Sequence, residues 1–281
     1  MGIPGYLEIL RPANSIMVGF AVIVGSLIAQ PFLSFDYSVL LSGFLTGFLI
    51  SSFAMVINDY YDAEVDRLNQ PGRPLPSNRV TVRGVKTLSI LLLVSGLLSS
   101  FYLGFLTLII ATIFAFISWL YSYRVKKIGM FGNSLVALSL AIPYIYGGFA
   151  VLFPWDELVW FLAVTSFSAG MGREIVKTIS DVEGDRLRDI RSVALMLGPK
   201  KAALFGSIFF LGAILLSLGP LFRSLVGLPY FILIPVPWAI FVYSSFSIMR
   251  TPSSQGAIRI KKLALVGMMF GLFAYLAEGI L

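Results

Sequence analysis

The 281-residue chain contains no cysteine and no histidine, and only 14 of its residues are acidic. Without cysteine there is no disulfide, no thiolate nucleophile and no sulfur-bound metal; without histidine the usual general base and the commonest zinc ligand are gone. Chemistry must run on carboxylates, Lys, Arg, Tyr, Asn or a hard metal ion. Charge of either sign is scarce at 12% of residues, against 58% apolar residues and a mean hydropathy of +0.90. A water-soluble globule of this composition has too little polar surface to cover itself, so large soluble domains are excluded and the chain reads as an all-α integral membrane protein. Glu8, Arg11 and Pro12 precede the first apolar run and no small-residue cleavage site follows a short core, so no signal peptide is expected.

What the chain has in quantity is long apolar runs. Those at 15–33, 37–57, 133–153, 157–176, 202–221, 228–249 and 260–281 are each long enough to cross a hydrocarbon core, which takes about 20 helical residues. The stretch 88–121 is too long for one span and is split near Tyr102–Gly104. Nine transmembrane helices result.

Charge tests that count. With nine crossings, 20 of the 21 basic residues fall on one side and only Arg223 on the other, whereas fusing 88–121 into one span scatters them. By the positive-inside rule the crowded side and the N-terminus are cytoplasmic. The net charge of +7, a hint of nucleic acid in a soluble protein, here reads as orientation, and no nucleic-acid partner is expected. Ten of the acids share the cytoplasmic side, nine of them in the segments 58–86 and 173–201.

Those two segments repeat a heptad. Asp62-Ala-Glu-Val-Asp-Arg-Leu68 and Asp181-Val-Glu-Gly-Asp-Arg-Leu187 agree at five of seven positions, 119 residues apart. The first follows the second span and the second follows the sixth, as in one domain (1–281) built from a pseudo-repeat of about 1–130 and 131–250 plus a final helix. Parallel repeats of this kind place a substrate site at their interface. Asn58, Asp62 and Asp66 recur every four residues, as do Lys177, Asp181 and Asp185, so each set projects from one helical side. Bare carboxylates at that spacing repel, and a shared cation removes the penalty. Oxygen ligands without His or Cys suit Mg²⁺, which accepts one or two carboxylates and the phosphates of a substrate. Two acidic helix ends facing each other across a metal–diphosphate is the paired reading; solvated helix ends balanced by Arg67, Arg186 and Arg188 is the plainer one. Arg173 and Lys177 lie one and two turns before Asp181 at the membrane border, placed to neutralise phosphate oxygens. Pro71 to Pro76 predict an extended loop that lays Arg73 over the site.

Asn58-Asp59-Tyr-Tyr-Asp62-Ala-Glu-Val-Asp66, Asp181-Val-Glu-Gly-Asp185 and the Tyr-x-x-x-Lys element Tyr123-Arg-Val-Lys-Lys127 together resemble the signatures of the UbiA superfamily of intramembrane prenyltransferases. Arg11-Pro12-Ala-Asn14 is similar to its N-terminal element, whereas Ser192 stands where relatives often carry Thr. The segments Arg67 to Ser77 and Arg173 to Lys177 look most like an archaeal subgroup that joins a geranylgeranyl group to geranylgeranylglyceryl phosphate. The resemblance implies nine helices around a central cavity capped by the two acidic segments, and transfer of a prenyl group from a diphosphate donor to a lipid-soluble acceptor, with Mg²⁺ as cofactor and membrane lipid around the protein. It implies metal ligands at Asn58, Asp59, Asp62, Asp66, Asp181 and Asp185, with catalytic roles for the four heptad aspartates, Tyr123 and Lys127. Substrate phosphates fall to Arg11, Asn14, Asn58, Arg67, Arg73, Lys127, Arg173 and Lys177. A sister enzyme with an aromatic acceptor, and a cation-coupled transporter, stay open at this point; the transporter fits poorly, because its ionisable residues belong at mid-span. No residue calls for an obligate protein partner.

Overall fold

The computed structural model describes residues 3–30, 36–187 and 189–280, and among them every regular element is helical. A short α1 (Ile3–Ile9) precedes α2 (Pro12–Ala29), α3 (Tyr37–Asn69), α4 (Val82–Leu103), α5 (Phe105–Tyr123), a 3-10 turn (Val125–Lys127) and α6 (Gly129–Ala150). Then come α7 (Glu157–Leu187), α8 (Val193–Leu197), α9 (Pro199–Ser217), α10 (Gly219–Phe222), α11 (Leu228–Leu233), α12 (Pro235–Arg250) and α13 (Ser254–Ile280). The end of the first expected span, 31–33, and residue 281 lie outside the described residues.

Helix starts follow local chemistry. Pro12 opens α2, where a missing N–H costs nothing. Asp36 accepts a hydrogen bond from Ser38 N (2.8 Å), and Thr81 accepts one from Gly84 N (2.9 Å), each occupying an otherwise orphaned donor in the first turn. The long apolar stretch does break where expected: α4 ends at Leu103, Gly104 adopts φ +135, a conformation other residues rarely take, and α5 starts at Phe105.

Among the described residues, eight helical segments are long and apolar enough to cross a membrane: α2 to α6, α9 with α10, α11 with α12, and α13. Helix α7 is 31 residues long but is not among them. It carries Arg173, Glu174 and Lys177 on its way to the second heptad. The ninth crossing of the expected layout would be this helix.

With lipid as solvent, little hydrophobic force draws one helix to another, so packing depends on close approach and interhelical hydrogen bonds. Gly25 and Gly147 supply the approach of α2 to α6: a Cβ on Gly25 would run into the Tyr144 carbonyl, and one on Gly147 into that of Val22. Beside them Ser26 donates to Gly147 O (3.0 Å). On the other side of the molecule Ser168 of α7 donates to Phe209 O of α9 (2.7 Å). Helix α2 packs on α3, α6 and α13, and α7 packs on α6, α9 and α13, so α6 and α13 each bridge α2 and α7. Two apolar pockets open inside this arrangement. One of ≈ 360 Å³ lies among α2, α3, α5 and α6, lined by residues including Val22, Ile50, Phe114 and Tyr146. Another of ≈ 380 Å³ lies among α7, α9, α12 and α13, lined by residues including Leu162, Trp238, Phe241 and Tyr275.

Candidate active site

Each heptad forms the last two turns of a helix more than 30 residues long, Asp62 to Leu68 in α3 and Asp181 to Leu187 in α7. The two ends lie near each other. Tyr121, in the last turn of α5, is within electrostatic reach of Asp62, Glu174 and Asp185 together. The connections between them interlock as well, since Gly129 (φ +36) sits directly on the backbone carbonyl of Arg191, just past the second heptad.

In the first copy the acids divide among three cations. Asn58 donates to Asp62 Oδ2 (3.1 Å), and the Lys126 ammonium pairs with Asp62 Oδ1. Asp66, only 2% exposed, instead shares Arg73 with Asp59, which is 5% exposed: Arg73 donates to Asp66 at 2.5 Å and to Asp59 at 3.4 Å, and Arg11 adds a bond to Asp59 at 2.5 Å. Without a metal, Asn58 and Asp62 thus share one set of partners and Asp66 another. At about 3.6 residues per turn, a seven-residue step returns almost to the same line, whereas two four-residue steps drift by about 80°. Asp59 and Asp66 are the true in-line pair.

Arg73 reaches them by a different route from the extended loop that the prolines suggest. The segment after α3 is a run of turns: Ser77 N bonds back to Arg73 O (3.0 Å), Arg79 N to Pro74 O (2.9 Å), and Asn78 takes φ +58. Leu75 and Val80 bury their side chains with Ile9 of α1. Arg79 then clamps the outside, donating to both oxygens of Glu8 (2.5 and 3.1 Å) and to Gly72 O (2.6 Å). An apolar anchor and an ion pair thus hold the turn that carries Arg73 against α3.

The second copy is built differently. Glu174 is 4% exposed; one oxygen accepts from Arg173 and the other from Lys177 Nζ (3.3 Å), so both border cations are held by a carboxylate of their own helix. Arg173 Nε, on the far side of that guanidinium, is buried without a hydrogen-bond partner, as is Asn133 Nδ2 on α6. Asp181 is partly buried and accepts the Ser180 hydroxyl (2.8 Å); Asp185 is also partly buried. Ser192, the position where relatives often carry Thr, is buried with its hydroxyl unpartnered.

Other expected site residues stand apart. Tyr123 is 45% exposed, stacks on Trp119 (5.5 Å between ring centres) with Arg124 over its ring, and meets the Tyr61 ring edge-on (5.6 Å), one residue before Asp62. Two residues is about 200° around a helix, so when Tyr121 faces the acids Tyr123 faces outward. Asn14 and Arg67 are exposed. The side chain of Lys127 lies outside the described residues; Lys126 is the lysine on Asp62. Sequence reasoning missed Tyr121, Glu174 and Asn133. The signal for Glu174 was an acid between two cations inside an apolar run, which needs a strong reason to be there.

Among the described residues no three acids gather closely enough to hold a metal ion. The donor chemistry nevertheless suits a hard divalent cation, because the side chains are all oxygen ligands and the Asp62, Asp66 and Asp59 carboxylates already attract positive charge in the form of Lys126, Arg73 and Arg11.

The profile described as the UbiA prenyltransferase family matches residues 18–273. The digeranylgeranylglyceryl phosphate synthase of Archaeoglobus fulgidus is 34% identical over 274 residues, covering 96% of this chain and 93% of the relative. The enzyme of the same name from Pyrococcus furiosus is 31% identical, with all of both chains covered. A solved structure of a digeranylgeranylglyceryl phosphate synthase superposes with a TM-score of 0.86 at 32% identity, covering 99% of this chain and 98% of that one. A UbiA homologue from Archaeoglobus fulgidus, solved with DMAPP and Mg²⁺, has the same fold at 17% identity, with a TM-score of 0.70, 97% of this chain and 99% of that one covered.

Proposed function

Since the chain belongs to the UbiA prenyltransferase family, we propose that it transfers a geranylgeranyl group from geranylgeranyl diphosphate to the free hydroxyl of geranylgeranylglyceryl phosphate, making the second ether bond of an archaeal membrane lipid. The observation that carries this reading is the meeting of two acidic helix ends around Tyr121, with basic side chains beside both. Similarity to relatives of that name along nearly the whole chain supports the choice of substrates.

Mg²⁺ fits the oxygen donors of Asn58, Asp62, Asp66, Asp181 and Asp185, and when bound it draws charge from the diphosphate so that the allylic C–O bond ionises more readily. Lys126 and Arg73, poised on the carboxylates, can turn to phosphate oxygens once those carboxylates have another cation. Arg173, paired with Glu174, lies two turns before Asp181 on the same helix and adds positive charge at that end. Lys177 adds positive charge there, whereas Asp59, deeply buried under Arg11 and Arg73, serves to hold the two guanidiniums in place. Burial in the bilayer keeps water from the cation. The repeat and the charge distribution support nine crossings with the N-terminus and both heptads on the cytoplasmic side; single cysteines introduced into this cysteine-free chain can be labelled from either side to check it.

Purified protein incubated with radiolabelled geranylgeranyl diphosphate and Mg²⁺ is expected to prenylate geranylgeranylglyceryl phosphate, and EDTA to stop it. Labelling of 4-hydroxybenzoate in place of the glycerophosphate ether would move the chain to the aromatic-acceptor branch of the family. Absence of any EDTA-sensitive product would remove the reading altogether.

A further inference from the structure

The proposed reaction needs a group to take the proton that the acceptor hydroxyl loses, and the acidic tier is badly placed to supply it. Asp59 and Asp66 are locked under Arg11 and Arg73, Asp62 carries Lys126, and Asp181 and Asp185 belong with the metal in the reading above. One carboxylate sits at another depth. Glu174 lies seven residues before Asp181 on α7, about 10 Å farther into the membrane at about 1.5 Å per residue. A prenyl diphosphate held at the aspartate tier points its allylic carbon in that direction.

The neighbourhood of Glu174 fits an acceptor oxygen. Helices α6 and α7 run antiparallel through the short 151–156 connection, and Gly170 packs on the Cα of Ala137 (3.3 Å from a Cβ built on the glycine). One turn toward the heptad from that crossing puts Asn133 level with Glu174. The buried, unpartnered Nδ2 of Asn133 therefore lies level with the buried Glu174 on the neighbouring helix, and the unpartnered Nε of Arg173 belongs to the guanidinium already paired with that carboxylate. Unpaired buried donors are uncommon and mark a place where an oxygen belongs.

We propose that Glu174 accepts the acceptor's proton, with Asn133 donating a hydrogen bond to an oxygen of the same acceptor. The hydroxyl oxygen uses a lone pair to form the new C–O bond to the allylic carbon, the diphosphate departs with the electrons of the old one, and the proton on the resulting oxonium passes to Glu174. An oxonium is a far stronger acid than any carboxylic acid, so the two cations that Glu174 holds do not prevent the transfer. Its neutralisation frees the charge of Arg173 and Lys177 just as the departing diphosphate gains charge. Proximity and a dry site are the requirements, and the 4% exposure of Glu174 meets the second.

The proposal rests on the prenyl-transfer reading, and the test separates the two. Wild-type protein in detergent with Mg²⁺, geranylgeranyl diphosphate and geranylgeranylglyceryl phosphate is compared with Glu174→Gln, Glu174→Asp and Asn133→Leu, scoring ether product and free geranylgeraniol. Wild-type protein forming no ether overturns the reading itself. With wild type active, Glu174→Gln is expected to lose ether formation at least 100-fold while still releasing diphosphate and diverting the cation to geranylgeraniol; Glu174→Asp is expected to recover part of the coupled product. Asn133→Leu is expected to raise the KM for the acceptor several-fold and leave that for the donor unchanged. Coupled ether synthesis retained in Glu174→Gln overturns the proton-acceptor role. Loss of both products in Glu174→Gln and Glu174→Asp overturns it too, because Glu174 would then be needed to hold Arg173 and Lys177 and not to take a proton. An unchanged acceptor KM in Asn133→Leu removes Asn133 from the proposal.

Discussion

The two heptads share five of seven residues and end helices of almost equal length, yet their charges are handled in opposite ways. In the α3 copy the counter-charge comes from outside the helix: Arg11 from before α2, Arg73 from the turn after α3, and Lys126 from the far side of α5. In the α7 copy it comes from within, where Arg173 and Lys177 are gathered by Glu174 two turns before the motif. A repeated motif therefore fixes which groups are present and leaves their pairing to the connections around it. The α3 copy is fastened by a loop and the α7 copy by its own helix, so the first depends on tertiary structure far more than the second.

Neutralising one acid in each copy should have the largest effect if both serve the metal. Asp62→Asn and Asp181→Asn are each expected to lower prenyl transfer about 100- to 1,000-fold, the scale of losing one major electrostatic contact in a transition state. Wild-type turnover in either protein would take that copy out of the site. A stability measurement then separates them. Arg73→Ala strands Asp66 as a buried carboxylate, and breaking such a pair costs about 3–5 kcal/mol; with the guanidinium a quarter exposed and Arg11 still on Asp59, about 3 kcal/mol is expected. Thermal unfolding in detergent should show it. The exposed Arg186 at the end of the second heptad, changed to Ala, should shift the same curve by less than about 0.5 kcal/mol.

A smaller effect distinguishes the two tyrosines. Tyr121→Phe should lower turnover by about tenfold, the worth of one hydrogen bond near charged groups, whereas Tyr123→Phe should stay near wild type. The reverse order would restore the tyrosine that the sequence motif favours. The smallest effect belongs to the clamp on the first copy. The hydrogen bond from Arg79 lowers the Glu8 carboxyl below its ordinary value of 4.5, against a minor opposing contribution from desolvation. A lowered carboxyl contributes stability above its unfolded value and loses it as pH falls through the folded one. The clamp should therefore be intact above about pH 4.5 and weaken below it. Protease nicking of the 70–80 turn should rise in that range in wild type and be raised and pH-insensitive in Glu8→Gln; no difference between the two at pH 6 would show that the apolar anchor of Ile9, Leu75 and Val80 holds the turn unaided.

Much of the architecture was legible beforehand because a bilayer leaves few choices. Apolar runs of crossing length must be helices, and the break near Tyr102–Gly104 falls where the helices part. The helix over the second heptad was harder to read, because hydropathy alone undervalues a crossing that carries Arg173, Glu174 and Lys177. At the site, the spacing of Asn58, Asp62 and Asp66 named the acids but not their pairing in the free protein, and no motif singled out Tyr121 or Lys126, which stand beside Asp62. Glu174 and Asn133 carry no motif of their own. Their interest arises from burial and from lying at one level on antiparallel helices, neither of which is written in a single stretch of chain.

Composition and order of residues by themselves determined that this protein lives in a membrane, that cysteine and histidine chemistry is excluded, and that one acidic motif occurs in two copies. Those follow from transfer energies and residue inventory, which need no coordinates. Only the tertiary structure decided that Asp66 belongs with Asp59 under Arg73, that Tyr121 joins the two acidic ends, and that a carboxylate lies buried beneath them. Ion pairing depends on distances of a few ångströms between residues far apart in sequence, and those distances are set by where the helices cross and how the turns between them close.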